Sequence, residues 1–491
     1  METHEAARHT RRMMTRPPEW LLAARERLAR RVEPALRRSR LAGRPVLAAA
    51  TVAADADPDP TALVRASARA GEPWMCLEQP ARQRTALAAL GSVARLQASG
   101  PDRFQTVARA WRRLADDALA DPPDGPPGTG LIATGGFAFD SAGASSPLWE
   151  PFGAASFDVP ELALLRRARA AGSTELRVTL STRVEPDDTP EQVLSRVDRR
   201  LAALRLAPLP LLDPDPAGRA QVSAPMAPEH YEDAVGRGVE LIRRGEIEKI
   251  VLAREVDVRA SQPYDPGALL GVLREAFEGC FVFGVGRGQR TLIAASPELL
   301  IRREGLRATT LALAGSIRRS ADPAVDDHLG EQLRGSAKDL SEHAIVARRI
   351  AATLSRRAVW VAAAPEPTVV RMANIQHLAT PVRAQLSESV DALELAGALH
   401  PTPAVGGEPW ERAAPLIRAL EGIDRGWYAG PVGWIDSAGD GEFCVALRCA
   451  VLHGAHARCY AGVGVVADSD PAAELAETEL KLGALLPLLT S

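Results

Sequence analysis

Near the C-terminus three short apolar stretches, Trp427–Ile435, Glu442–His453 and Ala457–Val466, follow one another with only turn residues between them. Each has the length and composition of a strand. Further strand candidates are Lys249–Val258, Phe281–Gly286, Thr291–Ala295 and Leu299–Arg303. Strands in runs, with helices between only some of them, point to an α+β fold rather than strict βαβ alternation. The helices are marked by apolar spacing. Glu229–Arg244 stops at Gly245, Asp339–Leu354 has Asp339 as an N-cap, and Pro471–Leu488 opens on a first-turn proline. In the first half, helical Trp20–Arg38, Gln105–Ala120 and Pro190–Leu206 alternate with apolar Pro45–Val52, Gly130–Phe139 and Glu175–Val184, and a Pro-rich loop spans Asp121–Gly128. Residues 1–18 read as a disordered tail, and Ala207–Pro228, with six prolines, reads as a linker. No internal repeat at a period of 20–50 residues is present.

Composition narrows the partners. A net charge of −3, with acids and bases interspersed, gives no basic stripe for nucleic acid. No run of about 18 apolar residues suggests a membrane span. The basic start lacks the apolar core of a secretory signal. Cys76, Cys280, Cys444, Cys449 and Cys459 form no CxxC pair and read as reduced thiols of a cytoplasmic protein, with no zinc site. Of 59 basic residues only Lys249, Lys338 and Lys481 are lysines. Arginine is never deprotonated, whereas lysine can serve as a neutral amine or a compact point charge, so these three are candidates for function.

Several constellations carry chemistry. Glu474, Glu477 and Lys481 fall at i, i+3 and i+7 on one helix face, with Leu475, Leu480 and Leu482 off it toward a core. That face is either a solvated Glu/Lys stripe or a pair of oxygen ligands for Mg²⁺. Glu342–His343 reverses the order of a zinc HExxH and has no second histidine four residues on. Glu342 is then an Mg²⁺ ligand or plain helix surface. Gly462–Ala467 matches GxGxx(G/A), but too little chain follows it for a second strand, which excludes a dinucleotide site. Its glycines are better used for close backbone approach, with N–H groups toward an anion. Arg448, in an apolar strand pattern, needs a carboxylate partner from the protein or a substrate. His377 is a structural residue or a catalyst.

Taken together, nine ordered blocks resemble the chorismate-utilising enzymes, the isochorismate, anthranilate, aminodeoxychorismate and salicylate synthases. They are EKIVLARE (248–255), ASPELLIR (295–302), LAGSIRR (313–319), KDLSEH (338–343), HLATPV (377–382), LHPTPAVGG (399–407), DRGWYAGPVGW (424–434), ALRCA (446–450) and AGVGVVADSDPAAELAETELKL (461–482). In the first half only TGGFAFD (134–140) and FDVPEL (157–162) look similar. The resemblance implies a large two-lobed domain of stacked antiparallel sheets flanked by helices. Its variable lobe would be 19–206 and its chorismate-binding region 229–491. It implies Mg²⁺ held by Glu342 and Glu474 with Glu477 close by. It implies a substrate site built from Gly315, Ser316, His377, Ala404, Tyr428, Arg448, Lys481 and the backbone of Gly462 and Gly464.

Within that family, water attack at C2 needs a base, and Lys249 stands where ammonia-using members carry a neutral amide. A neutral lysine can deprotonate water and an arginine cannot. Glu298 would then be the acid that protonates the departing 4-hydroxyl. Ala314 stands where aminodeoxychorismate synthases have a nucleophilic lysine, and Ala404 where salicylate synthases tend to have threonine. The expectation is therefore a monomeric cytoplasmic enzyme of the isochorismate-forming branch, with chorismate as its partner molecule. A salicylate-forming lyase, an ammonia-dependent enzyme and a non-catalytic homologue are the rivals.

Overall fold

The structure, a computed structural model, describes residues 17–169, 172–213 and 218–490. Nearly all of the expected N-terminal tail, residues 1–16, lies outside them. Two large sheets organise the chain, of twelve and ten strands, and every pairing between their strands is antiparallel. The first sheet runs Val46–Ala54, Thr174–Val184, Leu162–Ala168, Thr85–Leu90, Gly71–Gln79, Phe281–Gly288, Arg290–Ser296, Cys449–His453, His456–Val465, Lys249–Arg259 and Gly407–Glu408, with Gln221–Ser223 also on Lys249–Arg259. The second runs Ala358–Ala363, Ile375–Leu386, Arg307–Arg318, Leu299–Glu304, Gly441–Val445, Pro431–Asp436, Ile132–Phe137, Ala155–Val159 and Ala94–Gln97, with Thr368–Arg371 on Ile375–Leu386.

Strands from before residue 206 and after residue 229 thus lie side by side in both sheets. The Pro-rich segment between them is no boundary within the sheets, since its Gln221–Ser223 pairs with Asp257–Arg259. The main core fills the space between the sheets, where Leu47, Met75, Phe157, Ile301 and Phe443 meet. A second core covers the outer face of the first sheet. Leu28 and Val32 of the helix Glu19–Ala42 pack there against Ala48, Ala50 and Val178. A sheet buried on both faces loses the alternation of polar and apolar residues, which is why Val46–Ala50 reads as a continuous apolar run.

Three sequence expectations are corrected. The stretch Glu442–His453 is not one strand. Gly441–Val445 belongs to the second sheet and Cys449–His453 to the first, so the chain crosses between sheets at Ala446–Arg448. Apolar character is continuous through the crossing because both ends are buried, so composition gave no sign of it. Trp427–Gly430 is likewise a turn, and its strand begins at Pro431. The helix Ala337–Ser355 starts before Asp339. Ser336 is its N-cap, its hydroxyl accepting from the Asp339 N–H.

No helix among the described residues is long and apolar enough to cross a membrane. All five cysteines are free and buried.

Candidate active site

Two neighbouring crossovers build one wall of a cleft. Arg290–Ser296 lies in the first sheet and Leu299–Glu304 in the second, so Pro297–Glu298 spans the gap beside Ala446–Arg448. Backbone bonds lock the two together: Val445 N–H donates to Glu298 O at 3.1 Å and Ala295 N–H to Arg448 O at 3.2 Å. Arg448 is held at φ +48°, a left-handed conformation that a non-glycine residue adopts only where its surroundings impose it. Glu298 and Arg448 therefore sit where the fold changes sheets, on backbone fixed from both sides.

The cleft, with its open mouth, holds about 690 Å³. Of the residues expected from sequence, Glu298, Gly315, Ser316, Glu342, His377, Ala404, Tyr428, Arg448, Gly462, Gly464, Glu477 and Lys481 line it. Lys249 and Glu474 stand just behind. Lys249 is 0 % exposed at the start of its strand, its ammonium 2.8 Å from Glu342 Oε1. Glu474, 1 % exposed, pairs with Lys338. Sequence reading left Val251, Pro297, Leu313, Leu447, Tyr460 and Ala461 out of the lining. They are ordinary apolar and turn residues, and nothing in their identity marks them.

Gly315, at φ +75°, sits at a register shift between Ala314 and Ser316, a bulge that re-aims its neighbours. Ser316 Oγ donates to Glu477 Oε1 at 2.5 Å, and the Gly315 carbonyl accepts from His377 Nδ1 at 3.1 Å. His377 Nε2 is then free to accept from Arg448 Nη2 at 2.6 Å. Burial, with Arg448 and Lys481 nearby, holds His377 well below the usual histidine range, consistent with a neutral acceptor. The ring thus orients Arg448. Arg448 Nη1 is buried with no acceptor among the described residues, which suits an incoming carboxylate. His343 spends both nitrogens on Ala314 O and Thr380 Oγ1, so it is structural.

Burial pushes Glu298 up to about 8, against the opposing pull of Lys249, a Thr402 hydrogen bond, Lys481 and Arg448. That shift favours the protonated carboxyl at neutral pH. Glu477 behaves oppositely: burial would raise it, but Lys481, Ser316 and Lys338 hold it below the usual range. Glu474 is raised, by burial first and then by Glu477. The closing helix Pro471–Leu482 is capped by Asp470, and its buried residues are Glu474, Thr478 and Leu482. As expected, Leu475, Leu480 and Leu482 pack against the cores off the acidic face, and Glu474 on that face is buried as well, so it is no solvated stripe.

Gly462 and Gly464 lie in the strand His456–Val465, paired antiparallel with Ala253 and Val251. Close approach is their evident use. A Cβ on Gly462 would come 2.8 Å from the Tyr428 hydroxyl, and the Gly462 carbonyl accepts from Lys481 Nζ at 2.9 Å. A Cβ on Gly464 would overlap Glu342 Oε1 and lie 2.8 Å from Lys249 Cε. Gly464→Ala is therefore expected to displace the Lys249–Glu342 pair. Turnover should drop about 100-fold, with a thermal midpoint lowered by only a few degrees. Steady-state kinetics with a melting curve checks this.

A buried pair braces the wall from behind. Arg425 binds Glu421 and donates to Val405 O at 2.8 Å and Val251 O at 2.9 Å, and its guanidinium lies 4.1 Å over Phe139. It ties the Ala404 loop to the Lys249 strand.

All three carboxylates expected to hold a metal are engaged by lysine: Glu342 by Lys249, Glu474 by Lys338 and Glu477 by Lys481. Among the described residues no three His, Cys, Asp or Glu side chains lie close enough to share an ion. The donor set is nevertheless hard oxygen throughout, which suits Mg²⁺ and not zinc. Each carboxylate meets its lysine through Oε1. A divalent ion would have to displace these ammonium contacts and draw the carboxylates together.

The salicylate biosynthesis isochorismate synthase of Pseudomonas aeruginosa is 35% identical over 460 residues, spanning 94% of this chain and 93% of that protein. Isochorismate synthase MenF of Bacillus subtilis is 32% identical over 79% of this chain and 81% of its own length. Among solved structures, the menaquinone-specific isochorismate synthase MenF of Escherichia coli superposes with a TM-score of 0.75 at 25% identity, covering 96% of this chain and 100% of that one. The family model described as chorismate binding enzyme matches residues 34–490, which takes in both sheets and every side chain of the cleft, and to that family this chain belongs.

Proposed function

We propose that this chain is an isochorismate synthase, exchanging the 4-hydroxyl of chorismate for a 2-hydroxyl. The observation that carries the reading is a buried lysine and a buried glutamate serving one cleft: Lys249, and Glu298, which burial raises to about 8. A binding module needs no such acid–base pair. The close similarity to proteins named as isochorismate synthases supports it.

In this mechanism Lys249, an ammonium paired with Glu342 while no metal is bound, acts once it has shed that proton: the neutral amine takes a proton from the water that attacks C2. Glu298 gives its proton to the departing 4-hydroxyl. Arg448 Nη1, steadied by His377, receives the enolpyruvyl carboxylate, with Tyr428 and Lys481 beside it. Glu342, Glu474 and Glu477 would hold Mg²⁺, which supplies positive charge for the ring carboxylate of chorismate. Ala404 and Val405 shape the apolar wall against which the ring lies.

The test is chromatographic: purified protein with chorismate and Mg²⁺, with and without ammonium. Isochorismate alone, unaffected by ammonium and lost on chelation, is the expected result. Salicylate with pyruvate would move the protein to the lyase branch, and anthranilate would remove Lys249 from its role.

A further inference from the structure

The three lysines are the only ones in the chain, and each is spent on one of the three carboxylates proposed to hold the metal. Burying three carboxylates without counter-charge is costly, so the ammonium groups balance the site as it stands. The lysines differ in their freedom to leave. Lys249 is fully buried. Lys481 is tied to both Glu477 and the Gly462 carbonyl. The Lys338 side chain keeps 31% of its surface exposed and has Glu474 as its one ion-pair partner among the described residues. Lys338 also stands in the first turn of the helix Ala337–Ser355, the end where a cation opposes the helix dipole. Its position therefore serves Glu474 rather than its own helix.

Resting on the metal placement proposed above, we propose that Lys338 is a displaceable internal cation. It occupies Glu474 while no metal is bound and swings toward solvent when a divalent ion takes its place. The Lys338–Glu474 contact thus keeps a buried carboxylate preformed and sets the affinity for the metal, because every ion that binds must first replace an ammonium.

Titration calorimetry with Mg²⁺ alone on the substrate-free full chain tests this, alongside melting curves. Lys338→Met keeps the length and removes the charge. It should bind Mg²⁺ about tenfold more tightly than the unsubstituted protein. Its metal-free melting point should be lower, and that difference should vanish at saturating Mg²⁺. Lys338→Arg, which keeps the charge, should behave like the unsubstituted protein. Unchanged or weaker Mg²⁺ binding in Lys338→Met overturns the inference and leaves the metal placement standing. Equal Mg²⁺ binding by the unsubstituted protein and Glu474→Gln overturns the placement itself, and the inference with it.

Discussion

Lys249→Met is expected to lower turnover about 10³-fold while chorismate binding persists. Methionine matches the stem of lysine and carries no proton acceptor, so the attacking water keeps its proton. Lys249→Arg should fail as completely, because a guanidinium is never deprotonated. That pair of variants separates charge from basicity: a purely electrostatic role would be rescued by arginine. Stability must be read alongside. Lys249 is 0 % exposed and lies 2.8 Å from Glu342 Oε1, so removing it leaves a carboxylate without its partner. Breaking a buried pair from one side costs about 3–5 kcal/mol. The double variant Lys249→Met with Glu342→Gln removes both charges and should recover most of that loss without recovering turnover. Single-variant activity within tenfold of the unsubstituted protein would exclude Lys249 as the base.

The parts of the site that the sequence exposes are those whose signal is local. The spacing of Glu474, Glu477 and Lys481 on one helix is enough to bring them together, and the Glu477–Lys481 contact forms at 2.8 Å. The rarity of lysine is a property of the sequence itself, and it singles out Lys249 with no knowledge of the fold. The resemblance to chorismate-utilising enzymes supplies the stacked antiparallel sheets, which no periodicity could order. What stays hidden is non-local. Lys338 meets Glu474 across 136 positions of chain, so its role has no sequence correlate beyond its being one of three. The changes of sheet at Glu298 and Arg448 are invisible because the strand residues next to each crossing are buried in either sheet, and a change of sheet leaves that composition unaltered. Which of the two readings of the acidic helix face holds is non-local too: Glu474 is buried there because Lys338, from another helix, pairs with it.

Turnover should fall as pH rises through about 8, where Glu298 loses the proton it must donate. Burial sets that position, and Lys249, Thr402, Lys481 and Arg448 only moderate it. Glu298→Gln keeps the shape but cannot act as an acid, and its rate should be about 10³-fold lower with the alkaline fall gone. The same proton is linked to folding. In the unfolded chain the carboxyl ionises near 4.5, and in the folded chain near 8. Between those values the folded state binds more protons than the unfolded state, so stability is lost as pH rises across the window and levels off above it. The loss is on the order of a few kcal/mol. Glutamine is neutral throughout and escapes it. The melting point of Glu298→Gln, relative to the unsubstituted protein, should therefore climb from pH 5 to pH 8 and then stay constant. Melting curves that run parallel over that range would mean that Glu298 is already ionised near neutrality, and the general acid would have to be sought elsewhere in the cleft.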